Sequence, residues 1–342
     1  MGGSSMNNPS QRYWLAQLSE EIIEPALPIC DPHHHLWDHP GSRYLLDELL
    51  QDTGSGHRVV STVFVECMAM YRADGPRHLR CVGETEFVQG VAAMSASGAY
   101  GAMRAASGIV GMADLTLGSA VCEVLQAHLV ASGNRFRGIR HAAGWHASPD
   151  IRNSHTQPPQ GLLGQPAFRQ GFAELAPFGL CFDAWLYHPQ LPELTDLARA
   201  FPDTTIVLDH FGGPLGIGPY QGRADEVFAD WCKSIDELSR CPNVVAKLGG
   251  LQMAINGFGW HKRPLPPSSQ ELALATQRYH LHMIEKFGVQ RCMFESNFPV
   301  DKVSCSYAVL WNSFKRIAAN FSAAEKAALF HDTAARVYRL AA

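Results

Sequence analysis

The sequence predicts a single-domain (β/α)8 barrel, the TIM barrel of the α/β class. Eight short runs of apolar and β-branched residues alternate with amphipathic stretches, and this alternation is typical of βα units built around a parallel sheet. Each run ends in a polar or histidine-bearing turn, as the strands of a barrel do at the face that carries the active site. The length of 342 residues suits one barrel with a continuous core.

The predicted strands are spaced so that a helix fits after nearly all of them. The strands lie at residues 27–31, 59–66, 109–114, 136–140, 180–185, 205–209, 244–248 and 292–295. The predicted helices lie at residues 82–96, 120–131, 167–175, 191–201, 224–240, 270–286, 307–320 and 322–340. Ser322, followed three residues later by Glu325, is a capping box that starts the last helix.

Two long segments, residues 142–166 after strand 4 and 211–222 after strand 6, are rich in Gly, Pro and polar residues. In a barrel these are βα loops on the C-terminal face, where substrate is held. Residues 1–24 are predicted to be an N-terminal extension, and residues 25–342 the barrel.

Composition and charge exclude several classes of protein. The apolar fraction of 46% and the charged fraction of 18% are those of an ordinary globular protein. The net charge is −4 and the basic residues are scattered, so no nucleic-acid partner is expected. No stretch is long and apolar enough to cross a bilayer, so no membrane partner is expected either. The expected partner is a small-molecule substrate, and a homo-oligomer stays open.

The cysteines and the first residues favour a cytoplasmic location. The nine cysteines form an odd set with no CxxC pair, and several lie in apolar runs, which predicts reduced, buried thiols. Residues 1–6 have neither a basic n-region nor an apolar h-region, so we expect no secretory signal.

The sharpest local signal is DPHHHLWD, residues 31–38, at the end of the first strand. Because alternate side chains of a strand share a face, His33 and His35 are predicted to point into the barrel mouth and His34 away from it. Two imidazoles in that position could bind one cation or clamp one carbonyl oxygen. Three adjacent histidines indicate a site more strongly than they indicate a solvated strand exit.

Further histidines follow other strands. His188 follows strand 5 and His210 follows strand 6. The ends of separate strands converge on the barrel axis, so residues distant in sequence can share one site. A lone histidine at a strand end is more often structural, but four at the same rim favour a functional site.

Five segments together resemble the amidohydrolase superfamily, in the branch of barrel hydrolases that contains 2-pyrone-4,6-dicarboxylate lactonase and the sugar-acid lactonases. They are DPHHHLWD (31–38), FRGIRH (136–141), IVLDHFGGP (206–214), VAKLGGL (245–251) and RCMFESNFP (291–299). They extend from strand 1 to strand 8, so the resemblance covers nearly the whole predicted barrel. The aromatic-acid decarboxylases are more distant relatives of this branch.

The resemblance implies an HxH pair, a histidine after strand 5, another after strand 6, and an aspartate after strand 8 that deprotonates the attacking water. His33, His35, His188 and His210 match the first four positions. At the fifth position the chain has Asn297. A neutral amide cannot take a proton from water near neutral pH, so this departure puts the identity of the base in doubt.

Three routes around Asn297 stay open. Glu295, two residues earlier on the same face of strand 8, could serve as the base. Glu66 after strand 2, or Asp301, could supply the carboxylate. The reaction could also take a course other than the usual one.

The candidate metal ligands are His33, His35 and His188, with Glu66 as a carboxylate ligand. Imidazoles, a carboxylate and an open position for water suit zinc, and the expected divalent metal is zinc or manganese. The alternative is that no cofactor is needed, because the resemblance includes lactonases thought to polarise the ester carbonyl with imidazoles directly.

The candidate substrate contacts lie at the ends of strands 2, 4 and 7. They are Arg140, His141, Tyr71, Lys247 and Trp145. A guanidinium binds a carboxylate in bidentate fashion, and the resemblance assigns this role to Arg140. Lys247 could equally pair with Glu295.

These observations predict a hydrolase that opens a small, carboxylated cyclic ester by water attack. His210 and the HxH pair would stabilise the oxyanion, and Glu295 or Glu66 would take the proton. Asn297 keeps two alternatives open: a metal-dependent, non-oxidative decarboxylase of an aromatic acid, and a barrel that has lost catalysis and acts as a binding protein. Carbon dioxide release from hydroxybenzoates would identify the first, and a ligand-induced thermal shift without turnover the second.

Overall fold

Eight parallel strands form the sheet of the barrel. The structure, a computed structural model, describes residues 9–340, so residues 1–6, for which no secretory signal is expected, lie outside the described part. The strands are β1 Pro28–His34, β2 Arg58–Val65, β3 Arg104–Gly111, β4 Phe136–Ile139, β5 Cys181–Ala184, β6 Ile206–Leu208, β7 Val244–Leu248 and β8 Cys292–Phe294. Each pairs in parallel with the next in chain order, which confirms the predicted (β/α)8 fold.

The barrel is closed between the end of β1 and the turn that follows β8. The amide of His35 donates to the carbonyl of Phe298 at 2.8 Å, and the amide of Asn297 donates to the carbonyl of His33 at 3.0 Å. These bonds place the histidine motif of β1 directly against the Glu295–Asn297 segment.

The helices pack around the outside of the sheet. They are α1 Pro9–Leu15, α2 Leu46–Thr53, α3 Val82–Ala96, α4 Val121–Ala131, α5 Pro166–Ala173, α6 Leu191–Ala200, α7 Ala224–Leu238, α8 Ser269–Phe287, α9 Tyr307–Ile317, α10 Ala323–Ala327 and α11 Thr333–Val337. In α7, for example, the buried residues Val227, Trp231, Ile235 and Leu238 recur with the helical period and form one apolar stripe.

Three features differ from the predicted elements. Helix α2 fills the place after β1, where no helix was predicted, and a short antiparallel hairpin of Trp37–His39 and Ser42–Tyr44 precedes it. The predicted helix 322–340 is interrupted by a π-helical segment, Ala328–Asp332, between α10 and α11. The predicted start of the helix 322–340 is confirmed, since the Ser322 hydroxyl accepts from the Glu325 amide.

The barrel interior has an apolar layer and a charged layer above it. The apolar layer includes Cys181, Val207, Val245 and Met293. Two residues further along β5 to β8 the chain has a charged residue in each case, namely Asp183, Asp209, Lys247 and Glu295. Side chains two positions apart on a strand share a face, so the charged residues also point into the barrel.

Two further expectations concern the environment of the chain. All nine cysteines are free thiols, and six of them are buried. Among residues 9–340 no helix has both the length and the apolar character needed to cross a membrane.

Candidate active site

Lys247 is the centre of the charged layer. Its Nζ lies 2.6 Å from Asp183 Oδ2 and 3.1 Å from Asp209 Oδ1, and all three side chains are fully buried. Burial alone would lower the pKa of Lys247, but the carboxylates of Asp183 and Asp209 raise it by a larger amount. The pKa therefore lies above its ordinary value, and the ammonium stays charged. Lys247 therefore connects β5, β6 and β7 beneath the barrel mouth.

Arg140 follows β4, and protein acceptors surround its guanidinium. Nε donates to Glu66 Oε1 at 2.7 Å, and Nη2 donates to the carbonyl oxygen of Glu66. Nη1 lies 3.4 Å from His33 Nε2 and 3.5 Å from Asp209 Oδ2. Burial lowers the pKa of Arg140, yet Glu66 and Asp209 raise it above its ordinary value overall. The guanidinium is thus engaged within the protein.

Three of the predicted histidines meet at the barrel mouth. The ring of His33 lies 4.9 Å from that of His35 and 4.4 Å from that of His210, measured between centroids. His34 turns away from them, as predicted, and its Nε2 lies 2.8 Å from the Thr62 hydroxyl. Burial lowers the pKa of His33 and of His35, so both imidazoles are neutral near pH 7.

The Nδ1 atom of each of these three imidazoles faces an acceptor. His33 Nδ1 lies 2.9 Å from Glu295 Oε2, His210 Nδ1 lies 2.6 Å from Glu295 Oε1, and His35 Nδ1 lies 2.8 Å from the carbonyl oxygen of Val65. Carboxylate and carbonyl oxygens only accept, so a neutral ring in each of these positions carries its hydrogen on Nδ1. The Lys247 ammonium also lies 3.1 Å from His33 Nδ1, on the same side of that ring as Glu295. Each Nε2 of a neutral ring therefore carries a lone pair, and that of His33 faces Arg140 Nη1 at 3.4 Å.

Glu295 fixes two of the imidazoles at once. Both of its carboxylate oxygens contact a ring nitrogen, and the side chain is fully buried. Burial raises the pKa of Glu295, but His210 and His33 lower it to about 2 overall. The carboxylate is therefore ionised at neutral pH and holds the rings in one orientation.

Asn297 holds a second carboxylate near the mouth. It adopts a left-handed backbone conformation with φ of 54°, and its Nδ2 donates to Asp301 Oδ1 at 2.9 Å. Asp301 is fully buried, and the amide of Gln252 approaches its other oxygen at 3.3 Å. Burial raises the pKa of Asp301 to about 7, although His210 and the Asn297 hydrogen bond oppose the shift.

Asp301→Asn is expected to flatten the dependence of stability on pH. The pKa of Asp301 lies above its unfolded value of 3.8, so the stability it contributes is complete below about pH 4 and is lost as the pH rises through about 7. This loss is on the order of 2–4 kcal/mol in the free energy of unfolding. Urea unfolding of both proteins at about pH 4.5 and pH 8 measures it. The same pH dependence of the free energy of unfolding in the wild-type and Asp301→Asn proteins would contradict a raised pKa of Asp301.

The remaining predicted residues lie outside the imidazole cluster. His188 accepts from the Leu215 amide through Nδ1 at 3.3 Å, and its ring packs edge-on against Tyr220. Burial lowers the pKa of His188 to about 4. Trp145 is half-buried, and its amide donates to Gln190 at 3.0 Å. His188 is therefore not among the rings that the structure brings together.

A cavity of about 780 Å³ opens beside the ends of β2, β3 and β4. Tyr71, His141 and His155 line it, together with Arg77, Arg80 and Asp114. Its volume lies within the range of roughly 300–1,000 Å³ found for small-molecule sites. The predicted contacts Tyr71 and His141 thus belong to this cavity, whereas Arg140 and Lys247 lie in the buried layer.

Three residues of the site were not predicted. Asp183 and Asp209 had a signal in the sequence that could have identified them. Each is a lone charged residue at the end of an apolar strand, and a buried charge is rare without a partner. His155 had none, because it lies inside the loop 142–166, yet its Nε2 contacts Glu66 Oε2 at 3.1 Å. With Arg140 on Oε1, both carboxylate oxygens of Glu66 are engaged.

Gly250→Ala is expected to lower kcat by about tenfold or more by displacing His210. Gly250 has φ of +81°, and a Cβ there would lie 2.5 Å from His210 Nδ1, the atom that Glu295 binds. Gly288→Ala is the matched control, because Gly288 has φ of +78° with nothing within 4 Å of the added Cβ. Steady-state kinetics on both variants separate ring displacement from backbone strain. Equal kcat values for Gly250→Ala and Gly288→Ala would show that contact between the added Cβ and His210 has no effect on catalysis.

The donor set fits a divalent cation. One ligand atom each from His33, His210 and Glu295 lies within 4.8 Å of the others, and two imidazoles with a carboxylate are a ligand set that zinc accepts. Among residues 9–340, the charged layer holds four buried carboxylates, Glu66, Asp183, Asp209 and Glu295, and two buried side chains with permanent positive charge, Arg140 and Lys247. Neutral imidazoles with Nδ1 engaged offer lone pairs and no donor for an oxyanion. A bound cation would supply the missing positive charge.

The barrel, with histidines and carboxylates where its strands end, defines the class of protein as a (β/α)8 barrel enzyme. Residues 30–340 match the family model described as amidohydrolase, so the chain belongs to the amidohydrolase family and is a hydrolase. This confirms the family predicted from the sequence.

The chain is also similar to individual known proteins. The protein y4mH of Sinorhizobium fredii is 34% identical over 92% of this chain and 99% of its own length. L-fucono-1,5-lactonase of Burkholderia multivorans is 29% identical over 61% of this chain and 64% of its own length. The crystal structure of an amidohydrolase from Burkholderia multivorans with bound zinc has a TM-score of 0.70 at 24% identity, covering 92% of this chain and 99% of that one.

Proposed function

We propose that the protein hydrolyses a small, carboxylated lactone at the imidazole cluster of the barrel mouth. The observation that carries this proposal is Glu295, which binds Nδ1 of both His33 and His210 and so directs a lone pair at each Nε2. Opening an ester with water needs such a lone pair to accept a proton. The similarity to L-fucono-1,5-lactonase supports a lactone as the ester.

His210 takes the proton of the attacking water in this reaction. Its Nδ1–H is bound by an ionised carboxylate, so the imidazolium that forms is stabilised by the charge of Glu295. The His210–Glu295 pair supplies the base, a role that the neutral amide of Asn297 cannot fill. Glu295, proposed from the sequence as the base itself, instead orients and stabilises the ring that accepts the proton.

A divalent cation held by His33, His210 and Glu295 would take the place of the Nδ1 hydrogens that otherwise lie between Glu295 and the two rings. It would polarise the ester carbonyl and lower the pKa of the attacking water. Elemental analysis of protein purified with neither added metal nor chelator tests this. About one equivalent of zinc or manganese would make His210 and Glu295 ligands. A ratio near zero would leave His210 as the base.

The acid group of the substrate is assigned to the 780 Å³ cavity. Arg77 and Arg80 line that cavity, and guanidinium groups bind carboxylates well. Arg140, the residue proposed from the sequence, donates to Glu66 through Nε and Nη2, and its Nη1 lies 3.4 Å from His33 Nε2 and 3.5 Å from Asp209 Oδ2. A substrate lying across the cavity and the imidazoles would present its ester to His210.

The test is a panel of carboxylated lactones, sugar-acid lactones and pyrones, with His210→Ala as the control. We expect ring opening by the wild-type protein, followed by acid release, and a loss of about 10²-fold or more in the variant. No ring opening above that of His210→Ala would overturn the proposal. Hydroxybenzoates in the same panel test decarboxylation, and thermal shifts without turnover test a binding role.

A further inference from the structure

We propose that the N-terminal face of the barrel carries a binding site for a small polyphosphate anion. The site is a cavity between the beginnings of β3 and β4, and Arg104, Arg135 and Arg137 line it. This face is opposite the one that carries the imidazole cluster. The inference therefore goes beyond the proposed lactone hydrolysis and does not depend on it.

The cavity has a volume of about 390 Å³ and lies where two neighbouring strands begin. Arg104 is the first residue of β3, and Arg135 and Arg137 are on either side of Phe136, the first residue of β4. The other lining residues are Ala92, Ala96, Ala105, Ser107, Gly133 and Asn134. Among residues 9–340, therefore, no acidic side chain lines this cavity, and its electrostatic potential is positive.

Each of the three guanidinium groups is anchored through Nη1 to an uncharged acceptor. These acceptors, each at 2.9 Å, are the Gly101 carbonyl for Arg104, Gln89 Oε1 for Arg135 and the Asn134 carbonyl for Arg137. In the described part of the chain, Nη2 of each arginine has no hydrogen-bond partner. The protein thus orders the guanidinium groups and leaves donors available to a ligand.

A fourth arginine adds to the positive charge beside the cavity. Arg339 Nη2 lies 3.5 Å from the Arg137 carbonyl oxygen, which brings another guanidinium group next to Arg137. None of the four arginines forms an ion pair with a carboxylate of the described residues. Burial lowers the pKa of Arg137, and the charges of Arg339 and Arg135 lower it further. Like charges therefore crowd this face, and a bound anion would stabilise it.

Helix dipoles balance only part of this charge. Helix α3 ends at Ala96, and α4 ends at Ala131, two residues before the lining residue Gly133, so two helix C-termini lie beside the cavity. Each C-terminus is equivalent to roughly half a negative charge, so the two together offset about one of the four positive charges. A single carboxylate would offset one more. Two linked phosphate groups would offset most of the remainder, which favours a polyphosphate.

Phosphate groups also suit the shape of the donors. A guanidinium group presents its N–H groups as a planar fork that matches two phosphate oxygens. Asn134 lines the cavity as well, and its side-chain amide has no hydrogen-bond partner within residues 9–340. A volume of about 390 Å³ lies at the lower end of the range of roughly 300–1,000 Å³ found for small-molecule sites. The cavity therefore fits a small molecule with two linked phosphate groups better than an extended nucleic-acid strand.

The test is isothermal titration calorimetry with inorganic pyrophosphate at low ionic strength, without divalent metal added. We expect the wild-type protein to bind pyrophosphate at a single site per chain. Arg104→Gln and Arg137→Gln each remove a positive charge, and each should weaken binding about tenfold or more, the effect of losing a charge-assisted hydrogen bond. Arg104 is exposed, so Arg104→Gln should keep its fold even where Arg137→Gln is less stable.

Two control variants should bind pyrophosphate as the wild-type protein does. Arg223→Gln removes an exposed arginine that pairs with Glu226, and His210→Ala changes the imidazole cluster at the other face. Weaker binding by His210→Ala would place the anion at the mouth and overturn the site, as would wild-type affinity in both Arg104→Gln and Arg137→Gln, or no binding by the wild-type protein.

A single-stranded oligonucleotide tests the size of the ligand. If it binds more tightly than pyrophosphate and the same two arginine variants weaken it, the small-molecule assignment is wrong. No lactone enters either titration, so failure of this site and failure of the proposed lactone hydrolysis are distinguishable.

Discussion

Glu295→Gln is expected to lower kcat by about 10³–10⁴-fold with little change in KM. Both carboxylate oxygens of Glu295 bind imidazole nitrogens, at 2.6 Å for His210 and 2.9 Å for His33. A glutamine has one acceptor and one donor group, so it can satisfy the Nδ1–H of only one ring. The other ring must adopt the opposite tautomer and lose the lone pair on Nε2. Neutralising the carboxylate of a catalytic triad has an effect of this size for the same reason.

The measurement is steady-state kinetics on whichever lactone the wild-type protein opens, with metal content determined on both proteins. Glu48→Gln is the control, since Glu48 is a mostly buried glutamate that caps α2 through the Leu45 amide at 2.9 Å, away from the site. A Glu295→Gln enzyme with a kcat within about fivefold of wild type would show that ring orientation is not what Glu295 provides. Loss of bound metal together with activity would identify Glu295 as a ligand as well.

The barrel could be predicted because its signals are local. Every strand is a short apolar run with a turn after it, and α3 was predicted with the bounds that the structure has. Helix α2 was missed, although Leu46, Leu49 and Leu50 have the helical spacing. The π-helical segment Ala328–Asp332 could not be predicted from the sequence, since it changes the hydrogen-bond register without changing the apolar pattern.

The site was partly predictable for the same reason. Alternation along β1 indicates which histidines share a face, and the structure places His33 and His35 at one mouth with His210. For His188, four residues beyond the end of β5, no such rule applies, because the backbone after a strand no longer alternates. His155 lies in a loop, whose path depends on tertiary hydrogen bonds such as that between Ser154 and Gly144.

Lys247→Met is expected to lower the free energy of unfolding by about 3–5 kcal/mol, the range for breaking a buried ion pair. The Lys247 ammonium lies between Asp183 and Asp209, and none of the three side chains reaches solvent. Methionine has a similar length but no charge and no donor, so two carboxylates would be left in the barrel interior with reduced compensation. Tyr338 would still donate to Asp183 at 2.7 Å, and Arg140 would remain 3.5 Å from Asp209, so the protein should fold with reduced stability.

Urea unfolding measures this loss, and two further variants define its cause. Lys233→Met, which removes an exposed lysine paired with Asp230, should leave the unfolding midpoint unchanged. Lys247→Met combined with Asp183→Asn should recover part of the loss, because it removes one of the two uncompensated charges. If the free energy of unfolding of Lys247→Met lay within about 1 kcal/mol of the wild-type value, the carboxylates of the charged layer would be solvated or protonated, and their stability would not depend on Lys247. Recovery in the double variant would show that the charged layer beneath the imidazoles is held together by charge balance, with the lysine neutralising the carboxylates around it.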